Sequence, residues 1–242
     1  MSTESAPAER LAASANGDFA DLPEMIARAL PHARPESHRL LAGMARVRTT
    51  VASEIIFWQG EPIPLTLVVR GHAAFRRTTP DGRQLVLGLA TGGDLFGFTS
   101  IAAQRARVDL VAVTNVEVAV WPGPRIRPLA EGDPGLALDA IDGMARFIVD
   151  ITERLDGFIH QIARRRVVRV LARYGDLFFE EPAVLSRAHL PSLVGTSREM
   201  TGRVIRELER DGTLIREGRT GLRLLSPGRL QEAAALNEEE AD

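Results

Sequence analysis

Arginine carries most of the chemistry this chain can offer, and it is concentrated in one short stretch. Residues 196–210 read Thr-Ser-Arg-Glu-Met-Thr-Gly-Arg-Val-Ile-Arg-Glu-Leu-Glu-Arg. On a helical wheel at about 100° per residue, with Arg198 at the origin, Met200, Thr201, Val204, Ile205 and Leu208 gather between about 200° and 340°. Arg198, Glu199, Gly202, Arg203, Arg206 and Arg210 gather between about 0° and 140°. Guanidinium forks match phosphate oxygens and guanine edges, so such a face suits the major groove of DNA. A solvated face opposite an apolar stripe is the plain alternative. Two features weigh against it. Gly202 falls mid-helix, where it costs about 1 kcal/mol relative to Ala and removes bulk from the charged side. The segment 214–225 that follows reads as a hairpin carrying Arg216, Arg219 and Arg223, a basic wing beside a basic helix.

Other chemistries are excluded by residue type. The chain has no cysteine, which rules out disulfides, cysteine-ligated iron–sulfur clusters and a thiol nucleophile. Lysine is absent as well, so neither a Schiff-base lysine nor a P-loop lysine exists. There is no HExxH, no GxSxG and no pair of carboxylates at a catalytic spacing within one element, so an enzyme is not indicated. Asp139 and Asp142 share a helix face and read as a solvated acidic stripe. His32, His38, His72, His160 and His189 leave a haem-gated or other small-molecule sensor as a rival input, although lone histidines are more often surface or core residues. A nucleotide-binding module without DNA activity would leave the arginine-rich helix unexplained.

The elements that must position the arginines can be read outward from them. Gly195 can end a short helix in the left-handed region, and Thr196 with Glu199 forms a T-x-x-E capping box that starts the next one. Helix, glycine turn and helix make a helix-turn-helix. From residue 164 to 229 there are fourteen arginines against eight carboxylates, whereas the whole chain has a net charge of −2. A basic module is therefore joined to an acidic one. In that acidic part, residues 19–47 show helical periodicity broken at Pro31 and Pro35. Short β-branched runs then alternate with turn signals at Gln59-Gly60-Glu61, Arg70-Gly71-His72, Pro80-Asp81-Gly82 and Gly92-Gly93-Asp94 up to Pro122, which predicts a small antiparallel roll. Asp133-Pro134 opens a long helix in which Ile141, Met144, Ile148, Ile151, Leu155, Phe158 and Ile162 fall on one heptad seam, a dimer interface. The domains are thus 1–18, a disordered N-terminus; 19–132, a β-roll sensor with flanking helices; 133–164, a dimerisation helix; 165–230, a winged helix-turn-helix; and 231–242, an acidic tail. No run is long enough to span a bilayer and no secretory leader opens the chain, so a cytoplasmic protein without membrane contact is expected.

These motifs together resemble the CRP/FNR family of bacterial regulators. The string Ser197-Arg198-Glu199-x-x-Gly202-Arg203 is similar to the recognition helix of the cyclic AMP receptor protein, and the Gln59-Gly60-Glu61, Val69-Arg70-Gly71 and Gly93-Asp94-Leu95-Phe96-Gly97 turns are similar to those of the family's roll. The resemblance implies an α+β fold: an N-terminal antiparallel β-roll of the cyclic-nucleotide-binding type (a double-stranded β-helix), a dimerisation helix and a C-terminal winged helix-turn-helix. It implies a transcription regulator whose partners are double-stranded DNA, a second copy of the chain and RNA polymerase, and whose site is a palindrome of TGTGA-like half-sites. Arg198 and Arg203 would read guanines, Glu199 would accept from cytosine and Ser186 would touch phosphate; Thr196, Ser197, Gly202, Arg206 and Arg219 complete the expected DNA-binding set. Gly97, Phe98, Arg105, Arg107, Ile151 and Thr152 fall on the family's effector pocket. There the chain departs from the nucleotide binders: Phe98 stands where they carry the ribose-binding Glu, and Ala106-Arg107 where they carry Arg-Ser. Cyclic AMP is disfavoured and the effector is left unassigned, with no iron–sulfur cluster and no metal expected. Pro191 is a second departure, expected to kink or shorten the first helix of the reading head.

Overall fold

The computed structural model describes residues 21–79, 82, 84–160 and 162–235, apart from the side chains of 153, 154 and 156–160. The expectations for 1–18, for most of the acidic tail, for the Pro80-Asp81 turn and for the Phe158 side chain lie outside the described residues. The chain forms two compact units. One holds Leu87–Val149 with the described residues through Thr78, and the other holds Thr79–Val86 with the described residues from Asp150 onward.

In the first unit, helices α1 (Leu22–Ala29) and α2 (Pro35–Met44) precede eight strands, of which the fifth begins in the residues grouped with the other unit: β1 (Arg46–Thr50), β2 (Ile55–Phe57), β3 (Leu65–Arg70), β4 (His72–Thr78), β5 (Gln84–Thr91), β6 (Leu95–Phe96), β7 (Asp109–Ala112) and β8 (Val116–Trp121). They pair into two four-stranded sheets ordered β1-β8-β3-β6 and β2-β7-β4-β5. A 3₁₀ turn, Phe98–Ala102, separates β6 from β7, and α3 (Gly123–Gly132) follows β8. The mainly apolar run at Leu65-Thr-Leu-Val-Val, with no polar alternation, has a simple cause: β3 is covered on both faces. Leu65, Leu67 and Val69 pack with Leu22, Ile26, Leu41 and Trp121 beneath the helices, while Val68 turns the other way, among Ile56, Leu110, Val118 and Val120 inside the roll. Trp121 closes the helical layer by donating its indole N–H to the Leu41 carbonyl at 2.8 Å.

The long helix α4 (Pro134–His160) begins as expected, with Pro134 in its first position and the Asp133 carboxylate accepting from the Gly135 amide at 3.0 Å. Asp133 also accepts from Arg34 N and Ser37 Oγ. Burial opposes its ionisation, but the hydrogen bonds from Ser37, Arg34, Leu136 and Gly135 outweigh it and hold the carboxyl below its ordinary range. The reading of Asp139 as part of a solvated stripe is corrected: it is 2 % exposed and accepts from the His32 and Ala33 amides and from the His32 ring. Two aspartates of one helix end therefore hold down the loop between α1 and α2. The seam is also shorter than its heptad spacing suggests. The helix is assigned only to His160, and Ile162 follows in extended backbone as the N-cap of α5, so Ile162 lies off the helix.

The second unit contains α5 (Ala163–Arg173), α6 (Gly175–Phe179), α7 (Leu190–Val194), α8 (Arg198–Arg210), the hairpin β9 (Leu214–Glu217) and β10 (Gly221–Leu224), and α9 (Pro227–Ala235). Helix α5 packs on α7, α8 and α9. Its core joins Val167, Val168 and Leu171 to Leu190, Val194, Val204, Leu208 and Leu230. Among the described residues, no helix is long and apolar enough to cross a membrane.

Candidate nucleic-acid interface

The reading head is α7, a three-residue turn and α8. Gly195 holds φ 67° and ψ 44°, the left-handed conformation that lets α7 stop within one residue. Pro191 does not kink α7. It sits in the first turn, where a backbone amide finds no acceptor within the helix in any case, so no kink results, although α7 is short at five residues. The cap of α8 is likewise one residue later than the capping box suggests. Ser197, not Thr196, is the N-cap, and its Oγ accepts from the Met200 amide at 3.1 Å. Glu199 thereby falls on the second position of the helix and is free of a capping role in that box.

The two faces of α8 separate as the wheel requires. Thr201, Val204, Ile205 and Leu208 are buried, and Thr201 Oγ1 donates to the Ser197 carbonyl at 2.9 Å. Arg198, Glu199, Arg203, Arg206 and Arg210 are exposed. A Cβ added at Gly202 would meet only an Arg206 guanidinium nitrogen at 3.6 Å, an ordinary contact. No described residue of the chain requires glycine there.

Several arginines elsewhere in the unit are engaged. Arg164 lies 3.7 Å from Glu207 and 3.8 Å from Asp211, Arg173 3.0 Å from Asp150, Arg216 2.8 Å from Glu209 and Arg223 3.4 Å from Glu217. Arg198, Arg203, Arg206, Arg210 and Arg219 enter no ion pair among the described residues. The basic wing is therefore corrected in part: of its three arginines, Arg216 and Arg223 are neutralised by neighbours and only Arg219, at the hairpin tip, is open. Glu209 shows the strength of one of these pairings. Hydrogen bonds from the Arg216 guanidinium and amide hold its carboxyl below the usual range against the opposing effect of burial.

Between α7, α8 and the wing lies a cleft of about 390 Å³, to which Arg187, Arg198, Arg206, Arg216 and Arg219 contribute with Gly202, and which no carboxylate lines. Arg187 is a residue that pattern reading missed. Its amide donates to the Thr220 carbonyl at 2.9 Å, its guanidinium donates to the Arg219 carbonyl, and its Nε is buried without a partner. Adjacency to Ser186 was the only signal for it in the sequence. Ser186 itself is turned locally: its amide donates to His189 Nδ1 at 2.9 Å. Thr196 lies between the helices and donates its amide to the Pro191 carbonyl.

The residues expected around an effector are divided between the two units. Gly97, at φ 87°, and Phe98 belong to the roll's 3₁₀ turn, and Phe98 is 7 % exposed. Arg105 and Arg107 are exposed, and Arg105 donates to the Gly60 carbonyl at 2.8 Å. Ile151 and Thr152 are on the part of α4 that belongs to the other unit. The interior of the roll holds Phe57, Phe75 and Phe96, with ring centroids 4.9 Å apart for Phe75 and Phe96 and 6.5 Å for Phe57 and Phe96.

Comparison with known proteins agrees with this architecture. The cyclic nucleotide-binding domain family matches residues 47–133, and the Crp-like helix-turn-helix domain family matches residues 144–233. The CRP-like protein Clp of Xanthomonas campestris pv. campestris is 30% identical over 199 residues, covering 75% of this chain and 85% of Clp. The cAMP-activated global transcriptional regulator Vfr of Pseudomonas aeruginosa is 28% identical over 196 residues, covering 75% of this chain and 90% of Vfr. Among solved structures, the c-di-GMP responsive regulator CLP of Xanthomonas campestris superposes with a TM-score of 0.64 at 27% identity, over 78% of this chain and 97% of that one. FixK2 of Bradyrhizobium japonicum shares the fold, with a TM-score of 0.68 at 20% identity over 78% and 96% of the two chains. The chain belongs to the CRP/FNR family of DNA-binding transcription regulators, which are not enzymes.

Proposed function

We propose that the protein works as a cytoplasmic homodimer that presents α8 twice to a palindromic DNA site with TGTGA-like half-sites. The observation that carries this reading is the set of exposed arginines on α8 that no carboxylate neutralises, set around a glycine that packing does not need. Arg198 and Arg203 read guanines and Glu199 accepts from cytosine. Arg187, Arg206 and Arg219, with Ser186, Thr196 and Ser197, bind the backbone phosphates that fix the register. Two copies join along α4, where Ile141, Ile148 and Leu155 are 58 %, 59 % and 52 % exposed. Phe147, 65 % exposed, widens that apolar face beyond the heptad positions. Large aliphatic and aromatic side chains this open on one helix favour burial against a second copy. Half-sites then lie about 34 Å apart, one turn of the duplex, and RNA polymerase is the partner of the bound dimer.

Relatives differ in what they answer to: Vfr is described as cAMP-activated and CLP as c-di-GMP responsive. Cyclic AMP does not suit this chain, because Phe98 offers no acceptor for a ribose hydroxyl and Arg105 is already directed to Gly60. The test is selection of duplexes from a random pool by the purified protein, with and without added cell metabolites. Enrichment of a two-fold symmetric site supports the reading. Recovery of asymmetric or unrelated sequences contradicts it.

A further inference from the structure

The turn between β6 and β7 is gripped on three sides, each time at a glycine that has no room for a methyl group. A Cβ on Gly97 would stand 2.1 Å from the Pro64 carbonyl oxygen, one on Gly123 2.1 Å from the Ser100 carbonyl oxygen, and one on Gly143 2.2 Å from the Phe98 ring. The first contact ties the turn to the roll and the second to α3. The third ties it to α4. Leu136 and Ala140 of α4 belong to the same buried cluster as Phe98, so spacings of four and three residues line 136, 140 and 143 up on one stripe of the helix. Ile141 and Ile148, by contrast, are exposed.

From this geometry we infer that Phe98 is a built-in latch: seated on Gly143, its ring makes the contact between roll and α4 that supports DNA binding, so no small molecule is required in the roll. A ligand can shift a conformational equilibrium only through contacts it makes better in one state than in the other. At this turn the contact is made by the chain's own side chain, which is present at all times. Two further features agree. The Arg105 guanidinium is directed to Gly60, and three phenylalanines occupy the roll interior. The inference rests on the DNA-binding reading above and adds to it the absence of a ligand requirement.

The experiment uses the full chain, extensively dialysed, and the duplex recovered by selection. Wild-type affinity is expected to change by less than about twofold when saturating cyclic AMP, cyclic GMP or cyclic di-GMP is added, because no coupling remains to be gained. Gly143→Ala pushes the ring off the helix and lowers affinity by about tenfold, within the usual range of a coupling between sites. Adding Phe98→Leu to Gly143→Ala makes room for the methyl group and restores affinity, which a variant that merely misfolds would not do. The latch is overturned if wild type binds DNA only with a nucleotide, if Gly143→Ala binds like wild type, or if the double variant is no better than the single one. Should no variant bind any duplex, the DNA reading fails separately and amide hydrogen exchange decides the latch: Gly143→Ala must deprotect residues 98–102 and the double variant must restore them, and unchanged exchange overturns it.

Discussion

The turn at 97–107 and the helix at 198–210 treat their functional groups in opposite ways. In the turn, Phe98 is packed on Gly143 and Arg105 is bonded to Gly60. On α8, Arg198, Arg203 and Arg206 extend into solvent without a counter-charge, although carboxylates on neighbouring positions engage Arg164, Arg216 and Arg223. Phe98 and Arg105 are satisfied inside the chain, whereas these arginines of α8 are open to a partner. A change in a closed region should therefore disturb an internal contact first and binding only through it, as at Gly143, whereas a change at an open arginine should cost binding directly.

The largest expected effect lies on the open side. Ile148→Asp puts a charge in the exposed apolar face of α4 and should leave a monomer by sedimentation, with palindrome affinity reduced by about 10²–10⁴-fold as the two heads no longer bind together. A dimer of unchanged affinity would remove α4 from the interface. On the closed side, Asp133→Asn should cost about 2 kcal/mol of unfolding free energy at neutral pH, because a buried carboxylate accepting several hydrogen bonds is replaced by a neutral amide. The sign with pH follows from the lowered value in the folded state. The stabilisation is complete above the unfolded value near ~3.9 and is lost as pH falls through the folded one, so the gap between variant and wild type should close in acid. A gap that persists there would mean the charge is not what matters. Arg216→Ala should lower the unfolding free energy by about 1 kcal/mol given a half-exposed guanidinium, seen as a lower melting temperature, and should make folding less sensitive to acid as Glu209 returns toward its ordinary range. Affinity lost in Arg216→Ala without any change in melting would move that residue to the open group. The smallest effect has two signs: Gly202→Ala should gain up to about 1 kcal/mol in stability by helix propensity, yet weaken DNA binding. Equal or tighter binding would show that nothing approaches that face.

What the sequence discloses follows the range of the interactions. The faces of α8, the Gly195 turn and the short strands of the roll depend on periodicity and on residues a few positions apart, and they are legible directly. The cap of α8 was ambiguous because Thr196 and Ser197 are both good caps, and the choice of Ser197 shifts the phase by one residue. Pro191 looked disruptive only because the start of α7 could not be fixed to within two residues. Pairings made across the fold leave no local mark. The acceptance by Asp139 of hydrogen bonds from residues more than a hundred positions earlier, the neutralisation of Arg216 by Glu209, and the seat of Phe98 on Gly143 all appear only once the chain is folded. For the same reason the end of α4 escaped the heptad count, since an apolar residue such as Ile162 can keep the spacing after the backbone has left the helix.

The central claim is that an unpaired arginine on α8 reads a base rather than adding general charge. Competition of the selected palindrome against a scrambled duplex, followed by fluorescence anisotropy for wild type and Arg203→Ala, tests it most directly. The account predicts a loss of about 1–3 kcal/mol on the palindrome with little change on the scrambled duplex, relaxed discrimination at one base pair of each half-site, and an unchanged melting temperature. An equal loss on both duplexes, with a salt dependence shallower by about one counterion, would make Arg203 a phosphate contact and contradict it.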